Sequence, residues 1–255
     1  MLSINSLKVS FDRPIIQGID LHLDSQKAIL LGTNGSGKTT IIRSISGIVE
    51  YQGEIKINGI STKKNEKVEG FSTNLPEIFK LGRTVNEMAT LYEELMGIDY
   101  FLFMDFLEEM KMKEIMNRKF KKLSAGQQLI VRNALALSSK PMVYALDEPF
   151  ENVDLSRRDT IAKWAKEIGL EGILVTHEAD MLTSEYLRDF EIYFLVDGKI
   201  YGPVNVEELL SSKIEYREEP GSKMLMEKNG KKIFLVKGSE QNVSEVIKEI
   251  DFIMR

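Results

Sequence analysis

The chain has 255 residues, of which 43% are hydrophobic and 29% charged, and a formal net charge of -5. This length suits one large α/β domain with an appendage, or two small domains, and the acidic balance argues against nucleic acid as a main partner, since a surface that tracks phosphates carries a basic excess. With no cysteine the sequence excludes disulfides, thiolate nucleophiles and cysteine metal sites together, and it has neither a signal-peptide pattern at Met1 to Asn5 nor an apolar run of about 18 residues to span a bilayer.

The first thirty residues read as short β stretches: Leu2 to Ile4, Leu7 to Phe11 and, after the Asp12-Arg13-Pro14 turn, Ile19 to Leu23. His22 alternates with Leu21 and Leu23, which puts it on the solvated side. Phe11, at the end of an early strand, leaves two readings open, a core residue or a ring that stacks on adenine. The apolar run Ala28 to Leu31 then feeds Gly32-Thr33-Asn34-Gly35-Ser36-Gly37-Lys38-Thr39-Thr40, which contains G-x-x-x-x-G-K-[ST] between a strand and the helix opening at Ile41. In that setting glycines let successive N–H groups turn toward phosphate oxygens, and the helix N-terminus adds partial positive charge. Lys38 is expected to reach the β- and γ-phosphates of a nucleoside triphosphate and the Thr39 hydroxyl to ligate Mg²⁺.

Gly53 to Ile57 reads as a strand ending in an Asn58-Gly59 turn, and Lys63, Lys64, Glu66, Lys67 and Glu69 as a solvated loop. From Thr84 to about Arg118 the pattern is helical, with Val85, Met88, Leu91, Tyr92 and Leu95 on one face; its aromatic and methionine cluster fits helix packing or a docking surface. A further helix follows Leu123-Ser124-Ala125-Gly126-Gln127 to about Ser138. The next apolar run, Met142 to Leu146, ends in Asp147-Glu148-Pro149, which sets a carboxylate where a parallel sheet meets bound nucleotide. Asp147 is expected to hold Mg²⁺ and Glu148 to orient or deprotonate the attacking water. A helix over Arg157 to Ile168, with Ile161, Trp164, Ala165 and Ile168 inward, leads to the strand Gly172 to Thr176 and to His177, placed either to act near the γ-phosphate or to cap the strand. Ile192 to Val196 and Lys199 to Tyr201 form a hairpin around Asp197-Gly198. The tail reads as a hairpin around Asn229-Gly230 and an amphipathic helix from Val243 to Ile250.

In this order the motifs resemble the nucleotide-binding subunit of ATP-binding-cassette (ABC) transporters over about residues 1 to 210: the phosphate loop, the signature at Leu123 to Gln127, the run ending Asp147-Glu148-Pro149, Asn152-Val153-Asp154 at the D-loop position and His177 as the switch histidine. The resemblance implies an α/β P-loop NTPase with a mixed, largely parallel core sheet, an antiparallel β subdomain, a helical subdomain over about residues 75 to 135, and a small C-terminal α/β appendage over 211 to 255. It implies an ATP hydrolase with ATP and Mg²⁺ bound, and catalytic roles for Glu148, His177 and Lys38. Phe11 falls at the family's adenine-stacking position. Two cassettes, identical or paralogous, pair head to tail, so that Ser124, Gly126 and Gln127, with Asp154, serve ATP held by the other copy. The implied partner is a separate transmembrane permease that docks on the helical subdomain, which places the chain in the cytoplasm at the inner face of the membrane.

Three departures stand out. Asn74 occupies the position of the Q-loop glutamine, so its expected contact with Mg²⁺ or the lytic water needs a bridging water. Ala125 replaces a usual glycine, and the helix after it runs Gln127-Gln128-Leu129-Ile130-Val131 without the usual polar, basic continuation. Ala134 to Leu137 resembles the export-type branch. The same residues leave room for a soluble ABC ATPase such as a cluster-assembly protein, or for a regulatory module with little hydrolysis; one phosphate loop and no heptad insertion disfavour translation and DNA-maintenance types.

Overall fold

Apolar residues alternating with polar ones build a sheet with one buried face at the N-terminus. β1 (Leu2–Ser10) and β2 (Pro14–His22) pair antiparallel and bury Leu2, Ile4, Leu7 and Val9 with Ile16, Ile19 and Leu21, while His22 is exposed as expected. The two stretches expected before Phe11 are one strand with a bulge, because Ser6 takes a left-handed φ of 50° and its N–H donates to Asp20 Oδ1 at 2.7 Å. The computed structural model describes residues 1–64, 68–237 and 242–254; Glu66 and Lys67 of the mixed-charge loop lie outside these.

β3 (Lys27–Gly32) is apolar on both faces, as a central parallel strand requires, and runs through the phosphate loop into α1 (Lys38–Ile45). β4 (Gln52–Ile57) and β5 (Ile60–Ser61) form a hairpin over Asn58-Gly59, both residues at positive φ, and complete a four-stranded antiparallel sheet of order β2-β1-β4-β5. After β6 (Phe71–Thr73), the long helical pattern breaks in two: α2 (Val85–Met96) and α3 (Tyr100–Glu109). Gly97 ends the first in a left-handed conformation, and Asp99 caps the second by accepting the Leu102 N–H. α2 buries Val85, Met88, Ala89 and Tyr92; Leu91 and Leu95, expected on that face, are rotated off it by the 3.6-residue period and exposed.

α4 (Ala125–Ser138), β7 (Val143–Asp147), α5 (Leu155–Glu167), β8 (Glu171–Thr176), β9 (Glu191–Val196) and β10 (Lys199–Asn205) complete the core. The six-stranded sheet has order β10-β9-β3-β8-β7-β6, with every pair parallel except β10 on β9. Ile29 and Leu31 of β3 enter one apolar cluster and Ala28 and Leu30 another, so later helices cover one face while α1 and the antiparallel sheet cover the other. α5 begins ahead of the expected Arg157 and buries Ile161, Trp164 and Ala165, whereas Ile168 caps its end, half-buried. Trp164 packs on Phe106 of α3 at 4.4 Å between ring centroids and donates to Glu109 Oε2 at 2.9 Å.

The tail adds α6 (Val206–Leu210), a three-stranded sheet of β11 (Ser212–Glu215), β12 (Lys223–Lys228) and β13 (Lys231–Lys237), and α7 (Val243–Met254), one turn longer than expected. Its apolar residues, among them Met226, Ile233, Val246 and Ile250, join the same cluster as Ile29 and Leu31.

Glu171, 4% exposed at the start of β8, accepts the Leu2 N–H at 2.6 Å and the Ser25 N–H at 3.1 Å, tying the antiparallel sheet to the core sheet through one carboxylate. Because hydrogen bonds to a charged acceptor are the strong ones and their loss strands buried donors, Glu171→Ala should cost about 2–4 kcal/mol in urea unfolding. A loss below about 0.5 kcal/mol would mean that the carboxylate carries none of this load.

Candidate active site

β3 delivers the chain to Gly32 and α1 departs at Lys38, so the intervening residues must fold back tightly. Gly37, at φ 105°, would place a Cβ 2.7 Å from Ile16 Cδ1, and a Cβ on Gly32 would lie 2.7 Å from Ser36 Oγ. The left-handed φ makes glycine required at Gly37, while at Gly32 an added Cβ would press on the Ser36 hydroxyl and, at 3.1 Å, on the Leu195 carbonyl oxygen. Lys38, only 5% exposed, donates to the Gly32 and Thr33 carbonyls at 2.8 and 3.0 Å and lies 3.2 Å from Glu148 Oε1. Ser36 Oγ is buried and has no hydrogen-bond partner, an oxygen set in the cradle ready for a ligand. Phe11 is 63% exposed, which removes the core reading, and shares a cavity of about 260 Å³ with Asn34, Gly35, Gly37, Lys38, Thr39, Thr40 and Glu148.

The parallel sheet brings the acids to this edge. Asp147 ends β7, and its Oδ1 accepts a hydrogen bond from Thr39 Oγ1 at 3.1 Å. Burial pushes the Asp147 carboxyl up to about 6, against the opposing pull of the Thr39 hydrogen bond. Glu148 takes a left-handed φ of 43°, an unusual conformation for a side chain of this size, and is held there by its N–H bond to the Val175 carbonyl at 2.8 Å. Its Oε2 accepts the His177 N–H at 3.2 Å and lies 3.0 Å from His177 Nδ1. Lys38, Glu148 and His177 therefore converge at one point beside the phosphate loop.

Asn74 borders, with Thr39 and Asp147, a cavity of about 300 Å³, and its amide is built into the strand end. It is 1% exposed: its Oδ1 accepts the Asp147 N–H at 2.7 Å, and its Nδ2 donates to the Asp147 carbonyl at 3.0 Å and to Asn133 Oδ1 at 2.7 Å. Both N–H groups and one lone pair of the amide oxygen are engaged, so Asn74 straps the strand end that carries Asp147. Asn133, which passes the strap on to the Pro149 carbonyl at 2.9 Å, carries no sequence signal because it lies inside an apolar helix run. Sequence reasoning also missed Arg43, whose guanidinium clasps Glu77 at 2.7 Å, and Arg132, whose Nε is buried without a hydrogen-bond partner; both border a cavity of about 300 Å³ with Thr39, Asp147 and Glu148.

Ser124, Gly126, Gln127 and Asp154 do not line the cavity shared by Phe11 and Lys38. Ser124 and Gln127 form a capping box at the start of α4, and a Cβ on Gly126 would lie 2.1 Å from the Asn152 carbonyl oxygen. Ala125 sits in the first turn of α4, where alanine is well tolerated and no glycine is needed.

The profile of ABC transporters matches residues 16–151, more than half of the chain. The chain belongs to the ABC transporter family. It is an ATP-binding and ATP-hydrolysing subunit of that family, built on the P-loop NTPase fold. It is 31% identical to the energy-coupling factor transporter ATP-binding protein EcfA of Methanosphaera stadtmanae, over 78% of this chain and 76% of EcfA. A crystal structure of a protein described as a cobalt transport ATP-binding protein superposes with a TM-score of 0.88 at 43% identity, over 95% of this chain and 94% of that one. The dimeric structure of a bacterial ABC transporter cassette shares the fold at a TM-score of 0.68 and 20% identity, over 81% and 99% of the two chains. None of these names fixes a direction of transport, so the export leaning of Ala134 to Leu137 remains an expectation.

Asn74→Gln separates the strap from a metal ligand. An added methylene moves the amide away from the Asp147 backbone and Asn133 groups it bonds, so the variant should lose about 1–3 kcal/mol in urea unfolding with no gain in the Mg²⁺ dependence of turnover. Tighter Mg²⁺ dependence with unchanged stability would favour the metal role.

Proposed function

We propose that two copies of this subunit, or this subunit and a paralogue, close head to tail on ATP and reopen on hydrolysis, driving a separate transmembrane permease. The observation that carries this reading is the meeting of Lys38, Glu148 and His177 beside the phosphate loop. A γ-phosphate entering the cradle competes with Glu148 for the Lys38 ammonium, since both are anions seeking the same buried cation. Glu148, released on that side and still held by the His177 N–H, keeps a free oxygen to take a proton from an attacking water. Ser124, Gly126 and Gln127, with Asp154, would act on ATP in the facing copy, which makes a lone cassette an incomplete catalyst.

Thr39 and Asp147 would hold Mg²⁺, which when bound supplies neutralising charge at the phosphates. Their oxygens lie together at the loop edge, and among the described residues no group of three or more His, Cys, Asp or Glu forms a metal cage by itself. That fits an ion completed by phosphate oxygens and water. The exposed Leu91, Leu95 and Phe101 give the helical subdomain an apolar surface for the permease, and among the described residues no helix is long and apolar enough to cross a membrane. On this reading residues 1–210 are the ATPase domain, with its helical subdomain at about 75–135, residues 211–255 are an appendage, and the chain sits at the inner membrane face through its permease.

Glu148→Gln tests the assignment. Turnover should fall by about 10²- to 10⁴-fold while ATP still binds, and light scattering should show an ATP-held dimer. Phosphate release at the parental rate would remove Glu148 as the base.

A further inference from the structure

Arg158, near the start of α5, is an arginine whose side chain is only 14% exposed, and its guanidinium bonds two segments at once. Its Nε donates to the Val153 carbonyl at 3.0 Å, in the stretch just ahead of α5. Its Nη2 donates to Glu178 Oε1 at 2.8 Å and its Nη1 to Asp180 Oδ2 at 3.3 Å, both shortly after His177. Asp159 beside it accepts the Ser184 hydroxyl at 2.6 Å, so α5 grips both ends of the short helical turn Ala179–Thr183.

The segment held in this way carries His177. Its backbone N–H donates to Glu148 Oε2 at 3.2 Å and its Nδ1 lies 3.0 Å from the same oxygen, so the seat of His177 decides how Glu148 is held. Glu178, the next residue, has its Oε2 buried without a hydrogen-bond partner, and Arg158 is the cation on its other oxygen. Without the guanidinium, a largely buried carboxylate would stand close to Asp180 with that cation gone, and its relief is to swing toward water. The cavity of about 540 Å³ that Glu178 lines with Gly32 to Asn34 and with Asp251 and Met254 of α7 gives it room to do so. Any such swing pulls on the peptide that joins it to His177. At the other end of the bond, Val153 follows Asn152, whose carbonyl oxygen lies so near Gly126 that a Cβ there would meet it at 2.1 Å. The stretch is thus wedged between the signature and Arg158.

We propose that Arg158 is a positioning residue for hydrolysis: its one guanidinium locks the stretch Asn152 to Asp154 to the segment behind His177, and through His177 it sets the Glu148 carboxylate for the attacking water. Arg158 does not line the cavity shared by Phe11 and Lys38, so its effect falls on turnover and not on ATP binding. The inference rests on Glu148 being the base, as proposed above.

The test uses the full chain, with steady-state phosphate release and equilibrium ATP binding measured on each variant. Misplacing a catalytic group by a fraction of an ångström is costly, so Arg158→Gln should lower kcat at least about tenfold while KM and the Kd of ATP stay within about twofold. Glu178→Ala removes the acceptor without leaving a buried charge there, and should lower kcat at least about threefold with KM held. Because both changes cut the same bond, the double variant should lose little more turnover than Arg158→Gln alone. Should Arg158→Gln fail to fold, Glu178→Ala decides by its own split of kcat from KM. A parental kcat in whichever variant folds, a loss confined to KM, or losses that multiply in the double variant would overturn the inference and leave Glu148 as the base. An unimpaired Glu148→Gln chain would remove the base, and this inference with it.

Discussion

A buried ammonium must be surrounded by oxygens, and the site is organised around how Lys38 meets that demand. Two of its partners are carbonyls of the loop that bears it, and the third is the Glu148 carboxylate at the end of a strand two places away in the sheet. That contact couples the phosphate-binding half of the site to the hydrolytic half. The cation that grips a triphosphate also restrains the carboxylate that works on water, so occupancy of the cradle and availability of Glu148 are linked by charge alone.

The sheet makes the coupling possible. β3, β8 and β7 run parallel, with Leu31 opposite Thr176 and Asp147 opposite Val175, so their carboxyl ends deliver Gly32, His177 and Asp147 to one edge. Parallel strands need crossover connections, and this fold supplies helices there, which spend their N-termini at the same edge. The left-handed backbone of Glu148 is the local strain that results, held by the Val175 carbonyl one strand over. Asn74 and Asn133 stiffen that strand end from beneath, so the acids are positioned by buried amides as much as by the strand itself.

Contiguous motifs were readable because their chemistry is local. The spacing from Gly32 to Thr39 dictates a cradle whatever surrounds it, and an apolar run ending in Asp147-Glu148 announces a buried strand with acids at its tip. The break at Gly97 was hidden because apolar residues continue on both sides of it, and Leu91 and Leu95 looked inward only because leucine does. The strap role of Asn74 could not be read, since it depends on Asn133 from a helix 59 residues away and on where the Asp147 backbone lies. The approach of α7 to the phosphate loop is likewise a product of packing: nothing in Asp251 or Met254 signals it.

Trp164 has a consequence of another kind. It is the single tryptophan of the chain, and it is wedged between α5 of the core and α3 of the helical layer, stacked on Phe106 and bonded to Glu109. Any rotation of those helices against the core must alter the ring's neighbours and its indole hydrogen bond. The cassette thus carries a built-in fluorophore at the seam between α5 and α3, whose emission colour and lifetime would report any shift there without a dye.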